Sequence, residues 1–211
     1  MKKIILSSLL AISVLSFSAC QSQAAYVERP MPTEKLVNNQ LPDIPADLLK
    51  PIPISNMQSP TGKEDFTKFF KLLNESNLEF MPNFDEQLLL SSQNFDGNLE
   101  NFEKDVKKKI ENHIKNVWNQ SEKEIKKLED LKAKIQDKEV KAIIQYMINV
   151  FKFSMDSWAK MTNTYIKKEN PTVHDYSLFN EANREFELKS EPVKEIFRNA
   201  MSKFMKKYEE K

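Results

Sequence analysis

The sequence predicts an all-α protein: an antiparallel helical bundle with one long amphipathic helix, preceded by a signal peptide and an extended proline-rich linker. Glycine occurs only twice in 211 residues, whereas a sheet protein needs glycine at many of its tight turns. Seven of the ten prolines lie between Pro30 and Pro60, which leaves the rest of the chain free to form long helices. Beyond residue 83, apolar residues recur every three or four positions, as on one face of a helix. We therefore divide the chain into residues 1–19, 20–60 and 61–211.

Residues 1–19 have the features of a bacterial export signal. Lys2 and Lys3 give a positive start, and Ile4 to Leu15 form an apolar stretch that is too short to span a bilayer. The tetrad Phe17-Ser18-Ala19-Cys20 then follows. It resembles the lipobox of bacterial lipoproteins, although Phe17 stands where the family usually has leucine. The resemblance implies cleavage before Cys20 and acylation of its thiol, so that the membrane is bound through an N-terminal lipid.

The position of Cys20 leaves one alternative open. An ordinary secretory signal cut after Ala24 would release a soluble periplasmic protein. Cys20 is the only cysteine, and acylation gives an otherwise unpaired thiol a role in an exported protein. Gln21 replaces the aspartate that, by resemblance to enterobacterial lipoproteins, favours retention in the inner membrane. We expect anchoring at the periplasmic face of the outer membrane.

Residues 20–60 are predicted to form a lipid-anchored linker. Proline fixes φ and disfavours helix in the preceding residue, so the segment should be extended. An extended chain of this length would reach on the order of 100 Å from the membrane. We expect a spacer.

Part of this linker resembles a second family. The stretch from Leu41-Pro42-Asp43-Ile44-Pro45 to Pro51-Ile52-Pro53, with Thr61 to Phe66 behind it, is similar to the proline-rich segment of phage outer spanins. The resemblance covers residues 41–66. It implies a lipoprotein that pairs with an inner-membrane partner and disrupts the envelope at lysis. The body after residue 80 is longer than in that family, and Ile52 stands where many of its members carry cysteine.

The first helix of residues 61–211 is predicted to begin at Thr61. Thr61 and Glu64 have the spacing of a capping box, and Met81-Pro82 should end the helix. Its apolar face contains Phe66, Phe69, Phe70, Leu72 and Leu73.

A long amphipathic helix is predicted from Phe84 to Gln136. Asp96-Gly97 and Asn119-Gln120-Ser121 are candidate interruptions, and Ser121 with Glu124 has the spacing to cap a restart. The apolar residues on one face of this helix form a row, which we call the seam. Such a seam suits either a coiled coil or a bundle, but the aromatic rings in it favour a bundle. Its apolar positions are Leu88, Phe95, Leu99, Phe102, Val106, Ile110, Ile114, Val117, Ile125, Leu128 and Ile135.

Three further helices complete the predicted bundle. Asp137 should cap a helix from Lys138 to Lys168 whose broad apolar face indicates a central position with two neighbours, and Asn170-Pro171 should end it. A shorter helix spans about residues 176–188. Ser190, followed by Pro192, should cap a last helix that runs to the C-terminus.

The charge pattern excludes nucleic acid as a partner. The formal net charge is +1, and without Lys2 and Lys3 there are 30 basic and 31 acidic residues. Acidic and basic residues alternate, and Lys107-Lys108-Lys109 is the one basic run. Such a run more often marks a solvated helix face than a nucleic-acid-binding stripe.

The search for chemistry predicts no catalytic residues, cofactor or metal. His113 and His174 are far apart in sequence and have no second histidine or cysteine nearby. Cys20 is used by the lipid, and serine hydrolase signatures, phosphate-binding loops and HExxH are absent. Neighbouring carboxylates occur at Glu122 and Glu124 and at Asp175 and Glu181, as on any charged helix. We expect a protein that is not an enzyme.

Three functions remain as hypotheses. The first is a binding or scaffold lipoprotein whose bundle engages an envelope protein of unknown identity, with self-association compatible with the seam. The second is an outer-spanin-like lysis effector. The third is a surfactant-like helical coat, since Asn-Phe recurs at residues 83–84, 94–95 and 101–102.

Overall fold

The computed structural model describes residues 29–76, 99–169 and 171–209. Within these ranges it contains five α-helices and no β-strand, which confirms the predicted all-α bundle. The export signal, Cys20, Met81-Pro82 and Asp96-Gly97 lie outside the described residues, as do the first two Asn-Phe pairs. The helices are α1 (Gly62–Glu75), α2 (Leu99–Lys134), α3 (Lys138–Met161), α4 (Val173–Lys189) and α5 (Glu191–Glu209), and a π-helix (Thr162–Ile166) continues α3.

Helix α3 is the centre of the bundle. It contacts α1, α2, α4 and α5, which is two neighbours more than its apolar face predicts. The turn between α2 and α3 has only three residues, 135–137, so the two helices pack side by side in opposite directions. None of the helices in the described ranges is both long and apolar enough to cross a bilayer.

Two apolar clusters form the core, one in each half of the bundle. The first, which we call the α1 core, includes Phe69, Leu128, Ile144 and Phe204. The second, the π-helix core, includes Ile114, Trp118, Trp158, Phe179 and Phe186. Each fully buried side chain of this size contributes roughly 1.5 to 3 kcal/mol.

The start of α3 follows the prediction, and α1 reinforces it. The Asp137 carboxylate accepts a hydrogen bond from the Val140 N–H at 2.8 Å. The Asp65 carboxylate, on α1, accepts the N–H groups of Gln136 and Asp137, both at 2.8 Å. Burial raises the pKa of Asp65, but these two backbone hydrogen bonds lower it by a larger amount. The pKa of Asp65 is therefore below its ordinary value. Helix α1 therefore fixes the turn that leads into α3.

Three predicted boundaries need correction. The Thr61 side chain makes no capping hydrogen bond, because its backbone is already in the helical region. Helix α1 ends at Glu75, before Met81-Pro82, and the Ser76 hydroxyl donates to the Leu72 carbonyl there. Helix α2 passes through Asn119-Gln120-Ser121 without a break, so no restart is capped.

The last two helices are also capped differently from the prediction. Thr172 and Asp175 form a capping box at the start of α4, which the sequence analysis did not identify. At the start of α5 it is the backbone carbonyl of Ser190 that accepts from Val193 and Lys194. The Ser190 hydroxyl is buried without a hydrogen-bond partner in the described part of the chain.

Residues 29–60, which we call the strap, lie along the bundle. They contain a 3-10 helix (Val37–Asn39) and turns but no α-helix or strand, and Leu36, Leu48 and Ile52 are buried with exposed fractions of 8%, 2% and 8%. The Tyr146 hydroxyl donates to the Leu48 carbonyl at 2.8 Å. The prediction of a free spacer is therefore wrong for residues 29–60, because their apolar side chains complete both clusters of the core.

Candidate functional site

A groove of about 760 Å³ lies where the strap begins. We call it the Arg29 groove. Its walls come from the first residues of the strap, from one face of α2 and from the end of the π-helix. Its lining includes Arg29, Met31, Lys107, Lys115, Trp118 and Lys167.

Helix α2 supplies an apolar floor and a charged rim. Ile110, Ile114 and Trp118 follow one another at four-residue spacing and are buried in the π-helix core. Lys107 and Lys115, eight residues apart, are exposed along the same groove. Positions four apart lie on one face of a helix, which is why both rows run parallel to the groove.

The π-helix holds the strap in place. The Asn163 amide donates to the carbonyls of Pro32 at 2.8 Å and Glu34 at 3.0 Å. The Leu36 N–H donates to the Thr164 hydroxyl at 2.8 Å. Insertion of a π-turn shifts the register of the side chains behind it, and such turns often occur at functional sites. Here the π-helix presents two polar side chains to an extended backbone.

Arg29 closes one end of the groove through ionic contacts. Its guanidinium lies 2.8 Å from the Glu122 carboxylate and 2.6 Å from that of Asp156. Burial lowers the pKa of Arg29, but the hydrogen bond that its guanidinium donates to Glu122 and the charge of Asp156 outweigh this effect, so the pKa is raised. Burial raises the pKa of Asp156, and Arg29 only partly opposes this. The Glu122 side chain is 2% exposed, and a buried carboxylate of this kind needs a partner such as Arg29.

The opposite wall carries two lysines in different settings. Lys168 forms an ion pair with Asp175 at 2.5 Å. The Lys167 ammonium lies 3.6 Å from the Met31 sulfur, and burial lowers its pKa although Glu111 opposes the shift. In total, five cationic side chains and two carboxylates line the groove. The groove is therefore a cationic surface over an apolar floor.

The residues singled out in the sequence do not form a common site in the described part of the chain. His113 is half-buried on α2, whereas His174 is exposed on α4. Glu122 pairs with Arg29, and Glu124 with Lys127 at 2.7 Å. Asp175 caps α4, and Glu181 is exposed. No group of three or more histidine, cysteine or carboxylate residues in the described ranges could hold a metal ion.

A second, smaller groove of about 410 Å³ lies between α3 and α5. Its apolar lining includes Tyr146, Phe151, Val193 and Phe197, with Lys194 and Arg198 at the edge. Met205, further along α5, is 36% exposed. Glu191 also lines this groove and pairs with Lys194 and Arg198, so this side of α5 is an apolar surface with a charged margin.

The sequence analysis missed Arg29 as a site residue, because it assigned the dipeptide Arg29-Pro30 to the spacer. Its partners, Glu122 and Asp156, are 93 and 127 residues away in the chain. The local signal was Glu122, which lies beside the apolar seam of α2. A charge buried on that face is costly unless it is paired, so Glu122 indicated that a cationic partner was needed.

Comparisons with known protein families, with curated proteins and with solved structures find no match to this chain. What the fold and the groove define is therefore a class: an all-α bundle with a strap packed on its surface.

Proposed function

We propose that this chain is a lipoprotein of the bacterial envelope, anchored through Cys20, whose helical domain serves as a non-enzymatic binding or scaffold module. The observation that carries the proposal is the lipobox-like tetrad at residues 17–20 behind an apolar export signal. The outer membrane, at its periplasmic face, is the proposed location. Several acyl chains on one cysteine would make the anchoring effectively permanent.

The architecture of the domain supports a binding role. Its two grooves differ in character: the Arg29 groove is cationic, and the α3–α5 groove is mainly apolar. Partly exposed aromatic and methionine side chains, such as Phe197 and Met201 on α5, are suited to protein contacts. We assign the proposed envelope protein partner to this α5 side.

Lipid labelling tests the anchor. Cells that express the full chain are grown with radioactive palmitate, and the protein is compared with the Cys20→Ser variant. We expect label and membrane association in the wild type only. Equal labelling of both proteins, or recovery of an unlabelled wild type cut after Ala24, would overturn the lipoprotein assignment.

Chemical cross-linking in intact envelopes tests the partner surface. The Phe197→Ser variant should lose a cross-linked partner that the wild type retains, because removing the ring deletes the centre of the apolar surface. Lys63→Ser, an exposed change on α1, is the matched control. Loss of the partner in both variants, or in neither, argues against the α5 side.

The alternative is an outer-spanin-like lysis effector, which the resemblance of residues 41–66 supports. It requires an inner-membrane helical partner. A neighbouring or overlapping gene for a protein with one membrane span, beside endolysin and holin genes, would favour it. In the structure, Leu48 and Ile52 hold this proline-rich segment on the bundle. The segment therefore cannot extend as far across the periplasm as a spanin-like function requires.

A further inference from the structure

We propose that the Arg29 groove is the membrane-facing side of the domain, and that its cationic rim contacts the anionic phospholipid headgroups of the bilayer that holds the anchor. This inference rests on the proposed acylation of Cys20. It deepens the proposed function by assigning one surface to a partner of stated chemistry, an anionic lipid surface.

The length of the tether supplies the first argument. Only residues 21–28 separate Cys20 from Arg29. Even fully extended, such a chain spans roughly 30 Å between Cys20 and Arg29. Helix α2, with 36 residues, is about 54 Å long at 1.5 Å per residue. The tether is therefore shorter than the domain, and because Arg29 packs on Trp118 and Glu122 near the middle of α2, the Arg29 groove is held within roughly 30 Å of the membrane.

The fixation of Arg29 supplies the second argument. Its guanidinium is bound by Glu122 and Asp156, and its carbonyl accepts the Trp118 indole N–H at 2.9 Å. Asn163 then holds the carbonyls of Pro32 and Glu34. The strap cannot peel away to lengthen the tether without breaking these contacts. Only residues 21–28 then remain between Cys20 and the strap.

The charge of the rim supplies the third argument. Lys107, Lys115 and Lys167 are exposed around the groove. Lys108, seven residues before Lys115, lies on the same side of α2 and is also exposed. A lysine near an anionic bilayer strengthens attachment about fivefold. Glu111 and Glu169 line the same groove and offset two of these charges, so the four lysines leave a net positive rim that favours one orientation of a tethered domain. By contrast, Lys68 and Lys207 in the other half of the bundle pair with Glu64 and Glu139 at 2.7 Å.

Tryptophan quenching measures this contact. The chain has two tryptophans: Trp118 lines the groove, and Trp158 is fully buried in α3. The acylated full-length protein carrying Trp158→Phe is reconstituted into vesicles that contain a lipid with a nitroxide on its headgroup. We expect strong quenching of Trp118 in vesicles of phosphatidylglycerol and phosphatidylcholine, and weak quenching in phosphatidylcholine alone. Raising the salt from about 0.1 M to about 1 M should abolish it, because the Debye length falls from about 10 Å to about 3 Å.

Lysine substitutions test whether the rim lysines make the contact with the headgroups. Lys107→Gln with Lys115→Gln should lower the ratio of membrane-facing to free domain on the order of thirtyfold. Lys203→Gln with Lys206→Gln removes the same charge from exposed positions on α5 and should leave quenching unchanged. If Trp158→Phe unfolds the protein, an environment-sensitive fluorophore on Asn119→Cys, at an uncharged position that lines the groove, replaces Trp118 as the reporter.

The outcomes separate the two proposals. Equal quenching in anionic and neutral vesicles, or equal loss in both pairs of variants, overturns the headgroup contact. Absence of quenching in protein that floats with the vesicles overturns it as well, while the anchor stands. An unlabelled Cys20 together with a failure to float overturns the lipoprotein assignment itself.

Discussion

The indole N–H of Trp118 donates to the carbonyl oxygen of Arg29 at 2.9 Å, and the guanidinium of Arg29 lies 5.0 Å from the centre of the same ring. One aromatic side chain on α2 thus holds both the backbone and the side chain of the first described residue of the strap. A cation over an indole face contributes about 0.5 to 2 kcal/mol, depending on its exposure. This contact holds Arg29 on α2.

Arg29→Ala should destabilise the protein. The change leaves the Glu122 carboxylate buried without its cationic partner, which for a fully buried pair costs about 3 to 5 kcal/mol. The Arg29 side chain is 30% exposed, so we expect a smaller loss, about 1 to 3 kcal/mol. Denaturant unfolding measures it. Arg29→Ala combined with Glu122→Gln should recover part of the loss, and no recovery would contradict the assigned pairing.

Leu48→Ala tests whether the strap belongs to the folded domain. Leu48 is 2% exposed in the α1 core, so the substitution should cost about 2 to 5 kcal/mol. Leu49→Ala, at an adjacent position that is 46% exposed, should change stability by no more than about 0.5 kcal/mol. Thermal unfolding of both variants gives the comparison. Equal, small effects would mean that the strap does not stabilise the bundle.

Asp65→Ala should destabilise the α2–α3 turn. It leaves the N–H groups of Gln136 and Asp137 without their acceptor, at a cost of about 2 to 3 kcal/mol. Hydrogen exchange should increase first at these two amides. Asp65→Asn keeps an acceptor and should lose less, whereas Asp130→Ala, an exposed change on α2, should have little effect. Unchanged exchange at Gln136 and Asp137 in Asp65→Ala would refute this account.

Asp175 should make stability depend on pH in the acid range. Its hydrogen bond with Lys168, followed by those with Thr172, lowers its pKa to about 2. Because the pKa is lower in the folded state, ionised Asp175 stabilises the protein above pH ~4, the ordinary value, and this stabilisation is lost as the pH falls towards 2.

The Asp175→Asn variant isolates this contribution. Its unfolding free energy should be lower than that of the wild type at neutral pH and should change less between pH ~4 and ~2. Urea unfolding across this range measures both slopes. Asp130→Asn should keep the slope of the wild type. A steeper acid loss in Asp175→Asn than in the wild type would reverse the expected sign.

The structure differs from the sequence-based prediction more in the strap than in any helix. Its prolines predicted an extended, free spacer, whereas the segment contains a 3-10 helix and turns and packs on the bundle. Leu36, Leu48 and Ile52 are 12 and 4 residues apart, and the prolines between them interrupt any periodic apolar pattern. No local pattern therefore marked them as buried. Their burial depends on grooves that exist only after the helices have packed.

Helix caps also fall into two groups: those that the local sequence predicts and those that depend on packing. The Asp137 cap was predictable because its partner, Val140, is three residues away. The acceptor role of Asp65 was not, because its partners lie 71 and 72 residues further along the chain. Ser190 had the residue type of a cap, but packing buried its hydroxyl away from the first turn of α5.

By itself, the sequence determined that the chain is helical, approximately where its helices lie and which faces they bury, because helical periodicity and caps are properties of neighbouring residues. Only the tertiary structure decided that α3 is surrounded by four helices, that the strap completes the core and that Arg29 meets Glu122, Asp156 and Trp118. These features join residues far apart in the chain, and such contacts depend on how the helices pack together.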